Sequence, residues 1–374
     1  MKQNRLWLAI VISASSMSAA AVELTAEIAP GYDDNPFRLA DSLDSDSSWF
    51  VNTKVKLEHK TDKIRLRGRF ENRTYEGASD DADTLTAKLD GRYKTKYELA
   101  GKQATSYVKI KYTHHDKTYV ARSTGLVATD SGNDISDRYN YDAWAVDAKT
   151  TVSLNDALNV GLQLKYKNKD YEDYNIVGLS NLDYEQVGLT NDWQYTIDKQ
   201  SQFGIALNVS RRDFDDKREK DLLGNKIAGT DLQYDYWSIA TMYERDITKN
   251  LKASLLYTYE ERRGSGDGYY DVDDSRASAK LGYKADDSLK ITGKVTYQDR
   301  EYINSSVFDE NDEASPSTES YTIDLGMEKD LSSASDFPTS LVAGIRYDNY
   351  DSINSLYEYE RTQVYAGIKI GFGQ

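Results

Sequence analysis

Val51-Asn52-Thr53-Lys54-Val55-Lys56-Leu57-Glu58 alternates apolar and polar residues without a break. After a short gap Ile64-Arg65-Leu66-Arg67-Gly68-Arg69-Phe70-Glu71 does the same. Successive side chains of a β-strand point to opposite faces, so each stretch has one apolar face and one charged face. The period of two recurs in Leu158, Val160, Leu162 and Leu164, which are interleaved with Asn159, Gly161, Gln163 and Lys165. It returns at Leu251–Tyr259, Leu289–Tyr297 and Leu341–Tyr347.

A soluble sandwich would bury the apolar faces against each other, whereas a membrane barrel turns them to lipid and keeps the polar faces around a wet lumen. The segments run roughly 10 to 16 residues, too long for sandwich strands of about 5 to 6. Sixteen fit, at approximately 22–30, 48–60, 63–75, 84–97, 105–119, 140–153, 157–171, 182–197, 201–214, 231–247, 250–263, 274–285, 288–302, 318–330, 339–350 and 357–372. Short and long connections alternate between them, which places all the long loops on one side. The reading is therefore an all-β, transmembrane up-and-down antiparallel β-barrel of about 16 strands, with long extracellular loops and short periplasmic turns. The first strand is the faintest, and the loop after it is expected to begin at Gly31.

Composition agrees. The 374 residues include 30 Tyr, 4 Pro and no Cys, with 47 Lys+Arg against 62 Asp+Glu for a formal charge of −15. The mean hydropathy is −0.72, and no run of about 20 apolar residues follows the N-terminus, which excludes a helical membrane protein. The acidic balance argues against a nucleic-acid partner, and the lack of Cys removes disulfides and thiol chemistry. Lys2 and Arg5, the apolar Leu6–Ile12 and the small residues Ser18-Ala19-Ala20-Ala21 read as a secretory signal peptide over 1–21, cleaved to leave a single barrel domain over 22–374.

The C-terminal Tyr365-Ala366-Gly367-Ile368-Lys369-Ile370-Gly371-Phe372 resembles the terminal signal read by the barrel-assembly machinery, with Tyr365, Gly367, Ile370 and Phe372 as its marks. Gly31-Tyr32-Asp33-Asp34-Asn35-Pro36-Phe37 resembles the opening signature of the β-barrel porin 2 family, Gram-negative barrels associated with exopolysaccharide or capsule export. An Asx turn would explain the same residues without any family. The resemblance implies a channel in the outer membrane and transfers no catalytic residue. The strand count also matches the general porins, whose constriction loop would correspond to Arg122–Tyr139, but their acidic-Phe-Gly-Gly signature is absent.

Parity sorts the charges. Inward positions on the second to fifth strands carry Lys54, Lys56, Arg65, Arg67, Arg69, Lys88, Arg92, Lys94, Lys109 and Lys111, a basic wall with few acidic neighbours. The eight long loops hold 26 Asp+Glu and 7 Lys+Arg. Rings of Lys and Arg in a pore select anions, so the wall is expected to bind and guide an anionic substrate. Pairing with lumen carboxylates would cancel that field. Tyr75, Tyr119, Tyr171, Tyr259, Tyr302, Tyr350 and Tyr359 gather where strands meet the long loops. By parity only Tyr259 suits a lipid-facing girdle, and rings at the lumen mouth could stack on sugars.

No catalytic constellation emerges. His114 and His115 diverge to opposite faces, and no cofactor or metal site is read from the sequence. The leading expectation is a channel guiding an acidic polysaccharide across the outer membrane, with outer-membrane lipid, lipopolysaccharide, the assembly machinery and a periplasmic polysaccharide-export protein as partners. The alternatives are a diffusion porin for small anions or oligosaccharides, and a structural or surface-interaction barrel with a closed lumen.

Overall fold

The computed structural model describes residues 22–372 except 44–45, 122–123, 131, 177–178, 305–316, 333–334 and 336. The signal-peptide segment and the acidic run at 309–313 lie outside the described residues. Sixteen strands form a closed antiparallel barrel. They are β1 (Val22–Asp33), β2 (Ser48–Lys60), β3 (Ile64–Tyr75), β4 (Thr84–Leu99), β5 (Lys102–Lys117), β6 (Tyr141–Ser153), β7 (Leu158–Tyr171) and β8 (Tyr184–Thr196). There follow β9 (Ser201–Phe214), β10 (Gln233–Thr248), β11 (Leu251–Gly264), β12 (Val272–Lys284), β13 (Leu289–Tyr302), β14 (Thr318–Asp330), β15 (Thr339–Ser352) and β16 (Tyr359–Phe372). Each strand pairs with its sequence neighbours, and β1 closes on β16 from Leu24↔Phe372 to Asp33↔Gln363. Closure leaves no unpaired edge, the condition for putting β-structure into lipid.

The expected faces hold. Leu164 is 59% exposed on the outside, and Leu66, Leu89, Val108, Val187, Val209, Leu255 and Leu325 are exposed there too. Their sequence neighbours face a polar interior. A closed 16-strand barrel with an apolar belt outside and charge inside belongs in the outer membrane of a Gram-negative bacterium.

The short turns are set by local side chains. Between β4 and β5 the reversal is tighter than expected from sequence, with only Ala100 (φ 49°) and Gly101 (φ 75°) between Leu99 and Lys102. Both residues are left-handed, as a two-residue hairpin turn requires. Other turns are capped by Asx side chains: Asn155 Oδ1 accepts from the amides of Ala157 and Leu158, and Asp286 Oδ1 from those of Ser288 and Leu289.

β1 continues to Asp33, three residues beyond the expected end, because β2 and β16 pair it on both sides through that position. The loop at 122–139 carries a small hairpin pairing Thr129–Asp130 with Asn133–Asp134, and Gly125 packs beside Leu39 of the first loop.

Candidate functional site

The lumen wall predicted from β2–β5 exists, but much of it is neutralised. Lys54 pairs with Glu27 at 2.9 Å, Lys56 with Glu58 at 2.6 Å and Arg65 with the same Glu58 at 2.7 Å. Arg67 Nε donates to Asp90 at 3.0 Å, and Lys109 lies 3.6 Å from that carboxylate. Lys111 pairs with Asp147 at 2.5 Å. Arg92 sits 6.0 Å from the ring centroid of Tyr107. Arg69, Lys88 and Lys94 make no ion pair among the described residues. Arg69 and Lys88 are direct cross-strand neighbours, and Lys56 stands opposite Arg69. Parity therefore found the cations, while Glu27 on β1 was missed as a partner because that strand was too faint to assign its facing residues.

A second basic strip was legible in the sequence only as scattered lysines. On β12 and β13, Lys280 faces Lys294 and Lys284 faces Lys290, and none of the four has a carboxylate within ion-pair distance among the described residues. The carboxylates opposite Lys294 and Lys290 on β14 are engaged elsewhere: Asp324 lies 3.7 Å from Arg346, and Glu328 pairs with Lys369.

From β3 past the β1–β16 seam to β12 the inner wall forms a recess of ≈ 500 Å³. Lys54 and Arg73 line one end and Lys280 and Lys294 the other, with Arg346, Arg361 and Tyr365 between them. Thr292, Gly293 and Gly326 are the small residues that line it. In register across the sheet, Gly282, Thr292, Gly326 and Gly344 lead to Tyr365. A methyl group on Gly344 would fall 2.6 Å from the Tyr365 ring, so glycine is what lets that ring lie along the wall. Tyr365 and Gly367 of the expected assembly signal thus point into the lumen, while Phe372, on the outer face, meets Phe337 with ring centroids 5.5 Å apart.

The recess is bounded by a buried polar knot at the seam. Asp33 is fully buried and accepts from Arg361 Nε at 3.0 Å, Gln363 Nε2 at 2.6 Å and the Tyr75 hydroxyl at 2.7 Å. Asn35, two residues on, donates its amide N–H to Asp33 at 3.2 Å and its side chain to the carbonyl of Glu360 at 3.1 Å. Its Oδ1 accepts from the Leu39 amide at 2.8 Å. These bonds fold the first loop back over the seam and bring Arg38, in a left-handed conformation at φ 58°, to the recess. The Tyr-Asp-Asp-Asn stretch is therefore partly strand and partly Asx turn, and Asp33 and Asn35 tie the two chain ends together.

The tyrosines near the extracellular end face inward, as parity required, but they are packed rather than free. Tyr184, Phe214, Leu232, Tyr234, Tyr269 and Tyr270 form one buried cluster on the β8–β11 side. Arg212 lies 4.2 Å from the Tyr184 centroid, Arg262 4.6 Å from that of Tyr234, and Lys217 5.0 Å from that of Tyr270. Lys217 and Leu232 belong to the connection between β9 and β10, so this loop leans over the cluster together with the loop carrying Tyr269 and Tyr270. Phe50, Tyr75 and Ala82 form a smaller cluster on the opposite side, with Arg73 4.7 Å above the Phe50 ring. Rings this deeply covered do not present faces to a passing sugar.

Two tyrosines on the outside brace the rim: Tyr166 donates to Glu185 at 3.0 Å and Tyr259 to Glu261 at 3.0 Å. His114 contacts Asp142 at 3.0 Å on the outer face, and His115 contacts Thr86 at 2.9 Å on the inner one. Among the described residues no group of three or more His, Asp or Glu is placed to hold a metal ion. What the interior offers is fixed charge along the inner wall.

No protein-family model and no curated protein matches the chain. Among solved structures, it resembles OprD of Pseudomonas aeruginosa at 11% identity and a TM-score of 0.46, over 94% of this chain and 95% of that one. It resembles an anion-selective porin from Comamonas acidovorans at 10% identity and 0.43, over 94% and 98%. It also resembles a bacterial polysaccharide outer-membrane secretin at 9% identity and 0.44, over 95% of this chain and 99% of that one.

Proposed function

We propose that the protein is a diffusion channel for small anions. The observation that carries this reading is the set of inward cations without carboxylate partners among the described residues, above all the facing pairs Lys280/Lys294 and Lys284/Lys290. Like charges directly opposite each other destabilise a sheet by up to roughly 1 kcal/mol. The fold gains nothing from such pairs, but a permeating anion does, because a low-dielectric wall focuses their field on the passage. The inward lean of the 215–232 and 265–271 loops over the aromatic cluster favours small solutes over a continuous polymer. A polymer needs a continuous unobstructed path through the extracellular half. Export of an acidic polysaccharide, the leading expectation from sequence, is therefore the weaker reading.

Reversal potentials across a planar bilayer under a KCl gradient test the proposal. Anion preference is expected, reduced when Lys280, Lys284, Lys290 and Lys294 are changed to Gln. Cation preference in the unmodified protein would overturn it.

A further inference from the structure

We infer that the channel rectifies, passing anions more readily from the periplasm outward than inward, a proposal that rests on the anion-channel reading and gives it a direction. Free charge is distributed unequally along the barrel axis. Near the periplasmic end of β4, Lys94 and Lys96 alternate with the outward Tyr93 and Tyr97 and so face the lumen. Lys284 and Lys290 face each other beside the β12–β13 turn, with Lys280 and Lys294 further in. None of these lysines makes an ion pair among the described residues. Several carboxylates of the inner wall at this end are engaged: Glu58 by Lys56 and Arg65, Glu244 by Lys252, and Glu328 by Lys369. Glu23, Glu98, Asp246 and Asp330 are not in ion pairs among the described residues, and the short turns mix both signs, as in Asp62-Lys63 and Asp198-Lys199. Free lysine therefore exceeds free carboxylate along the inner wall there.

The extracellular end has the opposite sign. Its eight long loops hold 26 Asp+Glu and 7 Lys+Arg. Of those cations, Arg138, Lys217 and Lys220 are buried, and Arg218 pairs with Asp231 at 2.7 Å. Asp81, Glu172, Asp173, Asp216 and Asp267 are exposed. In the lumen just below, the cations stand against aromatic rings: Lys169 Nζ lies 3.7 Å from the Tyr141 centroid, Arg212 4.2 Å from that of Tyr184 and Arg262 4.6 Å from that of Tyr234.

A passage with fixed positive charge at one end and fixed negative charge at the other holds anions in the first stretch and cations in the second, because each end concentrates its counter-ion. A voltage positive on the extracellular side drives both populations toward the middle and fills the passage with carriers. The reverse voltage draws them apart and empties it. Anions therefore cross outward at a higher conductance than inward.

The test is the current through single channels in symmetric KCl at voltages of equal size and opposite sign. The chain has no cysteine, so Asp156→Cys in the β6–β7 turn takes one biotin-maleimide, and streptavidin added to one chamber identifies the periplasmic face. At about 0.1 M KCl the current with the extracellular side positive is expected to be about twofold or more the reversed current. The ratio should fall toward unity at about 1 M, where the Debye length shrinks to about 3 Å. Changing Lys94, Lys96, Lys284 and Lys290 together to Gln should bring it toward unity at low salt. So should neutralising Asp81, Glu172, Asp173, Asp216 and Asp267 as Asn or Gln. Equal currents, or a larger current in the opposite sense, would overturn the proposal, as would a ratio that salt does not lower or that survives in either variant. Equal currents through a channel whose reversal potential still favours chloride refute rectification alone, whereas cation preference refutes the channel reading beneath it.

Discussion

The two basic surfaces of the lumen differ in how their charge is balanced. Along β2–β5 a carboxylate sits within reach of most cations: Glu58 holds Lys56 and Arg65, and Asp90 holds Arg67 and approaches Lys109. Along β12–β13 the lysines face each other, and the carboxylates across from them on β14 are engaged by Arg346 and Lys369 from β15 and β16. The denser wall is thus the more neutral one. The density of Lys and Arg along a strand shows where charge is placed, but cross-strand register decides how much of it a solute meets.

The sharpest way to separate paired from unpaired cations is to remove one whose partner cannot reach water. Arg361→Ala leaves Asp33 fully buried with a lone negative charge. Breaking a buried pair from one side costs about 3–5 kcal/mol. Arg67→Ala, in the wall, leaves Asp90 with Lys109 3.6 Å away as a remaining counter-charge, so a smaller loss of about 1.5–3 kcal/mol is expected. Urea unfolding in lipid vesicles should show the first variant below the second. Similar midpoints would mean that the seam knot does not hold the chain ends together.

Next in size is selectivity. Changing Lys111→Gln together with Asp147→Asn removes an ion pair without altering net charge, and the anion-to-cation permeability ratio should stay near that of the unmodified channel. Lys280→Gln with Lys294→Gln removes two unpaired charges, and the ratio should fall several-fold. If the electroneutral double change lowers the ratio as much, the distinction between the two surfaces fails. Salt provides a smaller, graded version of the same experiment. The Debye length falls from near 10 Å at 0.1 M to about 3 Å at 1 M. Anion preference should shrink over that range and shrink less in the double-lysine variant, which has less unpaired charge to screen.

The barrel itself was legible because a period of two cannot be mistaken over strands this long, and lipid forces one face of each to be apolar. Register was not legible. Whether Lys294 meets Asp324 or loses it to Arg346 depends on side-chain reach across three strands, which alternation does not encode. Asp33 shows the same limit. Its short motif suggested a loop, yet its role comes from Arg361 and Gln363, some 330 positions away, brought together only by closure of β1 on β16. The inward tyrosines were correctly placed by parity, but their burial depends on loops whose conformation carries no periodic signal.

The extracellular rim offers the smallest effect and a different kind of charge imbalance, an excess of acid instead of base. Desolvation raises the carboxyl pKa of Asp215 above its ordinary value, with Glu185 and Asp170 adding repulsion. Desolvation does the same at Asp183, reinforced by Asp173, Asp170 and Asp215 although the Tyr171 amide donates to it at 2.6 Å. A carboxyl whose pKa is raised in the folded state favours its protonated form there. The packed rim is therefore penalised at neutral pH and gains stability as pH falls through the raised value toward the unfolded one. The loop between β9 and β10 contains Lys217, Arg218, Lys220 and Lys226, all trypsin sites, and its cleavage normalised to a reference peptide should slow on going from pH 7 to pH 5. Asp183→Asn with Asp215→Asn should already show the slower rate at pH 7 and lose most of its pH dependence. A variant cut faster than the unmodified protein at pH 7 would show that these carboxylates hold the loop down, in which case the acidic rim would stabilise its fold much as the balanced β2–β5 wall does.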